Sequence, residues 1–197
     1  MIKRLFDIIF SVLGIIILSP FFIVISICIL TTSAGGTIYS QLRVGKNGKE
    51  FKLFKFRTMR KDADKSGSLT IGMRDNRITS IGFYLRKYKL DELPQLFNVL
   101  AGEMSFVGPR PEVPEYVVLY DEEQRKVLNV KPGITDYASI EYSKENELLA
   151  NAENPKELYI KEIMPAKLKL NMRYISQMSL ITDIKIIVKT IIKIFKH

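Results

Sequence analysis

The 197-residue chain has no tryptophan, one cysteine and one histidine, and that histidine is the last residue, His197. A lone Cys28 can form neither an internal disulfide nor a thiolate metal cluster, so no oxidising compartment is implied. Within its apolar run it reads as a small buried hydrophobe. With histidine confined to a fraying terminus, imidazole catalysis and histidine-rich zinc sites are disfavoured. Chemistry must then come from carboxylates, hydroxyls, lysine or arginine. Acids are also in deficit, 21 Asp and Glu against 30 Lys and Arg, a net charge of +9. That excess points to anionic partners: phosphate, nucleic acid or an acidic lipid surface. Internal repeats and low-complexity linkers are absent, and the length suits one domain with accessory helices.

Charge almost disappears between Leu5 and Leu30, where Asp7 is the only charged residue in 26. A straight helix of that length would reach roughly 39 Å, beyond the roughly 30 Å hydrocarbon core of a bilayer. Pro20 lacks an N–H, crowds the carbonyl of Ile16 and pushes Ser19 away from helical geometry. The run is therefore expected to split into halves at 5–18 and 21–30, neither long enough to span. Both flanks are basic, with Lys3 and Arg4 before and Arg43, Lys46 and Lys49 after. The positive-inside tendency would keep both ends cytoplasmic. A helix–break–helix that enters one leaflet and returns satisfies both features, with the Ser19 hydroxyl free to bond a carbonyl released by the proline. A kinked single span and a cleaved signal peptide are the alternatives, although the run exceeds the ~7–15 apolar residues of a usual signal.

The other end carries "IKIIVKTIIKIFKH" after Thr182-Asp183, a candidate N-cap. Lys185, Lys189 and Lys193 form one stripe, and Ile184, Ile187, Val188, Ile191, Ile194 and Phe195 fill much of the rest. Such a basic amphipathic helix lies in an anionic membrane interface, packs on the domain core, or does both.

Between these ends, residues 37–58 read as a β-hairpin turning at Asn47-Gly48, with Lys55 and Arg57 on one strand face. Residues 59–77 are polar and read as an exposed loop. Asp62 and Asp64 within it match the Asp-x-Asp of metal-dependent glycosyltransferases, or simply a solvated turn. From Gln41 to Leu90 there are 14 Lys or Arg against four acids, so the positive excess is concentrated after the apolar segment. No nucleic-acid motif accompanies it. A surface facing acidic lipid, or a site for a phosphorylated substrate, fits better.

Helices are expected at 80–90, from about Asp91, at 114–128, within the acidic stretch after Glu141, and at 159–176. "KPGIT" (131–135) reads as a turn. The spacing of Leu93, Leu96, Phe97 and Leu100 gives one apolar helix face, and Pro94 fits only a first turn. That puts Asp91 near the N-cap and Glu92 inside the first turn. Gly102 can end the helix, and Pro109 and Pro111 bracket Arg110, fixing φ on both sides of one guanidinium.

Helix capping is the ordinary use of an Asp-Glu pair at such a place. A second use follows from the basic surroundings. A carboxylate at a helix start near Lys55, Arg57 and Arg110 is expected to stay ionised, and the same cations form a phosphate site. An ionised carboxylate beside phosphorus can attack it and form an acyl-phosphate, and a neighbouring carboxylate can hold Mg²⁺.

The Ser19-Pro20 break, "FKLFKFRTM" (51–59), "LDELPQLFNVLAGEMSFVGPRPE" (90–112) and "KPGIT" together resemble the bacterial sugar transferases, in particular the small monotopic phosphoglycosyl transferases, over roughly residues 2–195. The resemblance implies transfer of a sugar-1-phosphate from a UDP-sugar to polyprenol (undecaprenyl) phosphate, with release of UMP. It implies Asp91 as nucleophile, Glu92 as its partner at Mg²⁺ and Arg110 on phosphate. Lys55 and Arg57 are expected at phosphate or nucleotide, with Pro109 and Pro111 shaping the arginine loop. Ser19 and Pro20 match the break that makes the family's membrane helix re-entrant. The expected architecture is mainly α with a small β-hairpin, a single monotopic membrane-associated domain: a re-entrant helix hairpin at 1–36, a catalytic domain at 37–180 and a basic amphipathic helix at 181–197. It would sit on the cytoplasmic face of a bacterial inner membrane with no nucleic-acid partner. One departure stands out. Many relatives follow Pro-Gly-Ile-Thr with Gly-Trp-Ala-Gln and an Asn-Gly-Arg segment, whereas here the chain runs on from Asp136 to Leu149 as "DYASIEYSKENELL". A UDP-linked N-acetylated amino sugar is the expected donor, and the extra N-terminal membrane domain of larger relatives is not expected. Two rivals remain: a glycosyltransferase using Asp62 and Asp64, which would release UDP, and a non-catalytic basic membrane protein without turnover.

Overall fold

The computed structural model describes residues 2–33, 35–63 and 75–195. It is mostly helical with two small two-stranded sheets. Helix α1 (Ile2–Thr32) is followed by the antiparallel hairpin β1 (Ile38–Val44) and β2 (Glu50–Phe56), turning at Asn47 with φ 57°. Then come α2 (Ser80–Lys87), a 3-10 turn at Leu90–Glu92, α3 (Gln95–Ala101) and β3 (Ser105–Val107). Short helices α4 (Pro114–Val117) and α5 (Glu122–Arg125) lead to β4 (Gly133–Thr135), which pairs in parallel with β3. The chain closes with α6 (Tyr137–Glu141), α7 (Glu145–Ala150), α8 (Pro155–Leu158), a π-turn at Tyr159–Ile163, α9 (Met164–Ser176) and α10 (Leu180–Phe195).

The expected break in α1 is corrected in one respect: the helix runs on through Pro20. The carbonyl that the proline cannot serve, that of Ile16, accepts from the Ser19 hydroxyl at 2.8 Å, so the ladder loses little by continuing. One stripe of this helix packs on the domain for nearly its whole length. Asp7, Ser11, Ile25 and Ile29 are buried, a Cβ on Gly14 would stand 3.2 Å from Leu96, and Phe22 meets the rings of Phe56 and Phe97. The remaining faces expose Leu5, Phe10, Ile16, Ile17, Phe21 and Ile27 among others, far more apolar surface than a protein in water normally shows. Cys28 is half-buried.

The basic start of α1 is used for docking. Arg4 donates to the carbonyls of Val99 and Leu100 in the last turn of α3, at 2.6 and 2.8 Å. Asp7 accepts from the Ser105 hydroxyl and the Phe106 amide at 3.0 and 3.1 Å. The Lys3 ammonium bonds Asp183, the Tyr174 hydroxyl and the Val107 carbonyl, joining α1, β3, α9 and α10. Asp183 is consequently a buried ion-pair partner and not the cap of α10. Ser179 takes that role, accepting from the Thr182 amide at 3.1 Å. On α10 the Asp183, Ile186 and Thr190 side faces the domain, while Ile181, Ile184, Val188, Ile191 and Ile192 are exposed beside Lys185 and Lys189. Core packing and an outward apolar sector coexist on one helix.

Other expectations need local revision. "KPGIT" supplies a strand as well as a turn, because Gly133–Thr135 finds β3 beside it. The helix expected at 114–128 is divided after Val117, and Asp121 starts a new one with a capping box to Gln124. Helix α2 stops at Lys87, and Lys89 takes a left-handed φ of 57° that redirects the chain into the 3-10 turn. The pairing of β3 with β4 demands close backbone approach. A Cβ on Gly133 would lie 2.1 Å from the Gly108 amide nitrogen and 2.6 Å from its carbonyl oxygen. Replacing Gly133 with Ala is therefore expected to destabilise the fold by about 1–3 kcal/mol through overpacking, read as a lowered melting temperature of the detergent-solubilised protein.

Candidate active site

The 3-10 turn that carries Asp91 and Glu92 is tied to the domain from two directions. On its C-terminal side Pro94 opens α3, and Asn98 locks that helix to the hairpin. The Asn98 side chain accepts from the Phe54 amide at 3.0 Å and donates to Lys52 O and Glu103 at 2.8 and 2.7 Å. On its N-terminal side, Lys89 holds the left-handed bend and Arg86 of α2 bonds the Thr58 hydroxyl at 3.0 Å. The polar residues Gln95 and Asn98 face inward, and Phe97 of the expected apolar face is half exposed against α1.

Glu92 is gripped by two cations. Lys55 Nζ lies 3.3 Å from its Oε1, Arg110 donates to the same oxygen, and the second Arg110 nitrogen is 3.4 Å from Oε2. Burial alone would raise the Glu92 carboxyl, but Arg110 and Lys55 outweigh it and hold the group well below the usual carboxylate range. The same pairing raises Arg110. Lys55 goes the other way: burial, opposed by Glu92 and assisted by Arg110, lowers it to about 8.

Asp91 is treated differently. Its carboxylate is 7% exposed, and Oδ1 has no hydrogen-bond partner. The side chain caps neither the 3-10 turn nor α3, which removes the ordinary explanation for the pair. The helix start and the nearby cations are not the only influences on this carboxyl. Burial pushes the Asp91 carboxyl upward, Lys55 opposes this, and the adjacent Glu92 charge adds to it. Two neighbouring acids are thus driven in opposite directions by their surroundings, a pattern common where each has a separate chemical task.

The arginine loop is held by backbone and side-chain bonds together. Gly108 N donates to Thr135 O at 3.1 Å and Gly133 N to Pro109 O at 3.0 Å, so "KPGIT" zips the loop in place. The Arg110 amide donates to Asp136 Oδ2 at 3.2 Å, and the other Asp136 oxygen accepts from Ser139 N at 2.6 Å at the start of α6. Arg43 reaches in from β1 to Pro111 O and Glu112 at 3.0 and 3.1 Å. Lys55, Asp91, Glu92 and Arg110, with their flanking prolines, are therefore brought together. Arg57 is not: its guanidinium bonds Gly36 O at 2.9 Å and lies over the Tyr39 ring. Ser19 and Pro20 belong to the exposed part of α1. Asp62 is exposed, while Asp64 and His197 lie outside the described residues.

Sequence reasoning missed Arg43, Arg86, Gln95 and Asp136. Only Asp136 carried a signal, as the first residue of the segment that departs from the family pattern. Among the described residues no group of three His, Cys, Asp or Glu side chains is placed to hold a metal. Two carboxylates are nevertheless enough for Mg²⁺, which takes one or two from the protein and the rest from substrate phosphates and water. The pair fits that pattern, since Asp91 Oδ1 is unpartnered and Glu92 Oε2 carries only its 3.4 Å contact.

A family model described as bacterial sugar transferase matches residues 1–197. The chain belongs to the bacterial sugar transferase family. A putative undecaprenyl-phosphate N-acetylgalactosaminyl 1-phosphate transferase of Bacillus subtilis (strain 168) is 48% identical over 134 residues, 68% of this chain and 71% of the relative. A UDP-glucose:undecaprenyl-phosphate glucose-1-phosphate transferase of Klebsiella pneumoniae is 38% identical across 98% of this chain and 40% of its own length. A UDP-N-acetylgalactosamine-undecaprenyl-phosphate N-acetylgalactosaminephosphotransferase of Aeromonas hydrophila is 34% identical across 96% of this chain and 43% of its own. This sugar transferase thus spans about two fifths of the length of the latter two. Replacing Asp136 with Ala is expected to cost about 1–2 kcal/mol of stability through the lost cap, a fall of a few degrees in melting temperature. Initial-rate assays should also show a lower kcat, because the backbone of Arg110 loses its anchor.

Proposed function

We propose that this sugar transferase moves a sugar-1-phosphate from a UDP-sugar to polyprenol phosphate through a covalent intermediate on Asp91. The observation that carries the reading is the contrast within the pair: Glu92 is clamped by Lys55 and Arg110, while the neighbouring Asp91 keeps a buried oxygen with no donor on it. An oxygen without hydrogen bonds has its lone pairs free for attack. The Asp91 oxygen attacks the phosphorus bearing the sugar, the bond from that phosphorus to the bridging oxygen breaks, and UMP leaves with the electron pair. A phosphate oxygen of the polyprenol phosphate then attacks the same phosphorus, the bond to Asp91 breaks, and the carboxylate is restored. Lys55 and Arg110 offset the repulsion between an anionic nucleophile and a diphosphate. Mg²⁺ held by Glu92 and substrate phosphate would supply further charge neutralisation.

All three relatives named above carry undecaprenyl phosphate in their names, and two are named for an N-acetylgalactosamine transfer. An N-acetylated amino sugar is accordingly the donor we propose. The setting we propose is the cytoplasmic face of the bacterial inner membrane, with α1 embedded from that face and both of its ends held on it. Support comes from the buried stripe that keeps residues from Lys3 to Ile29 against a single domain, together with the apolar surface on the other faces of that helix. The exposed isoleucines and lysines of α10 suit the anionic lipid interface beside it.

With donor alone, intact-protein mass spectrometry should show a gain equal to one sugar-phosphate and a matching amount of UMP, both lost in Asp91→Asn. Release of UDP, or UMP release that requires acceptor, would contradict the scheme. Single-cysteine variants of a Cys28→Ser background, labelled at Ile2 and at Glu123 in sealed vesicles, should react from the same side. Opposite-side labelling would mean a spanning helix.

A further inference from the structure

One turn beyond the Asp91–Glu92 pair sits a polar side chain that the fold buries and leaves unserved. Gln95 is 2% exposed, and its amide Nε2 has no hydrogen-bond partner. Asn98, three residues on and equally buried, shows how this interior treats an amide it uses structurally. Both its polar atoms are bonded, to Phe54 N, Lys52 O and Glu103. Orphaned buried donors are rare because each forfeits its bonds to water without replacement. An apolar side chain at position 95 would avoid that penalty.

The position of Gln95 supplies a use for the donor. Helical side chains slope toward the N-terminus, so a residue covers the turn that precedes its own Cα. From the first position of α3, Gln95 therefore overlies the 3-10 turn of Asp91 and Glu92. Asp91 Oδ1 is likewise unpartnered, so the orphan donor and the orphan acceptor, four residues apart, do not bond each other. A group that joins Asp91 Oδ1 and carries anionic oxygens of its own would satisfy both.

We propose that Gln95 is a catalytic residue whose Nε2 donates to a non-bridging oxygen of the phosphoryl group as it is transferred to and from Asp91. The proposal rests on the covalent reading given above. Negative charge in phosphoryl transfer is spread over the non-bridging oxygens, and a donor fixed in place before reaction needs no reorganisation to meet it. Lys55 and Arg110 are bonded to Glu92, whereas the Gln95 amide, one turn from Asp91, is a neutral donor with no partner in the fold. Because the same phosphorus is attacked in both half-reactions, the amide serves in each.

The test uses the full chain with Gln95→Met, which keeps length and removes the donor, and Gln95→Glu, which presents acceptors in its place. Single-turnover formation of the Asp91 adduct, its discharge to polyprenol phosphate, KM for the UDP-sugar and thermal melting are measured for each. We expect Gln95→Met to melt at or above the wild-type temperature with KM changed less than about threefold, while both half-reactions slow by about 10- to 100-fold. Gln95→Glu should be slowed at least as much. A Met variant that forms the adduct at the wild-type rate overturns the proposal, as does a slowing that accompanies lowered melting and is absent in Gln95→Glu. A wild-type enzyme that releases UMP without forming an adduct removes the covalent reading itself; an adduct in wild type with an unslowed Met variant removes only Gln95.

Discussion

The structure around the candidate site depends on one partly buried ionic contact, the Glu92 carboxylate held between Lys55 and Arg110. It ties together three parts of the chain far apart in sequence: the hairpin, the turn before α3 and the proline-bracketed loop. Removing one partner would leave charges only partly hydrated, a loss between the ~0–1 kcal/mol of an exposed pair and the ~3–5 kcal/mol of a fully buried one. It also decides how the two acids differ. The cations spent on Glu92 are not bonded to Asp91, so Asp91 remains buried with an open oxygen. A nucleophile and a charged neighbour can then be made from adjacent residues of one short turn.

A second level of organisation holds those three parts in register. Asn98 pins α3 to β2, Gly108 and Gly133 bring β3 and β4 close, and Asp136 holds the backbone of Arg110. These bonds are to backbone groups, so they fix the path of the chain and leave the functional side-chain atoms available. The apolar helix α1 belongs to this framework. Arg4 and Asp7 bond backbone groups at the end of α3 and in β3, so the helix braces the elements that carry the site.

Much of this was legible in the residues. The hairpin and its Asn47 turn follow from β-prone alternation around a turn dipeptide, and the end of α3 follows from Gly102, whose φ is 89°. The nearness of Asp91, Glu92, Lys55 and Arg110 was expected from charge and from the joined motifs. Long-range satisfaction was harder to see. Nothing local says that Arg4 will cap α3, that Lys3 will leave the membrane flank for Asp183, or that Arg57 will turn to Gly36. Pro20 misled in part: the Ser19 hydroxyl serves the carbonyl of Ile16 as expected, but the helix expected to divide there does not. The upward push on Asp91 was also beyond local reasoning, since it comes from burial and not from its place at a helix start.

The knot of Lys3, Tyr174 and Asp183 has a consequence for how the molecule comes into being. Its ends are 180 residues apart, so at ribosomal speeds of ~5–20 residues per second the N-terminal helix waits on the order of 10–40 s for its partner to be made. During that interval Lys3 has no carboxylate to neutralise it, and the greasy helix has only lipid or a chaperone for company. Closure of the domain through this knot therefore comes only after the N-terminal helix has formed, and nascent chains halted before Asp183 would carry that helix without its last anchor.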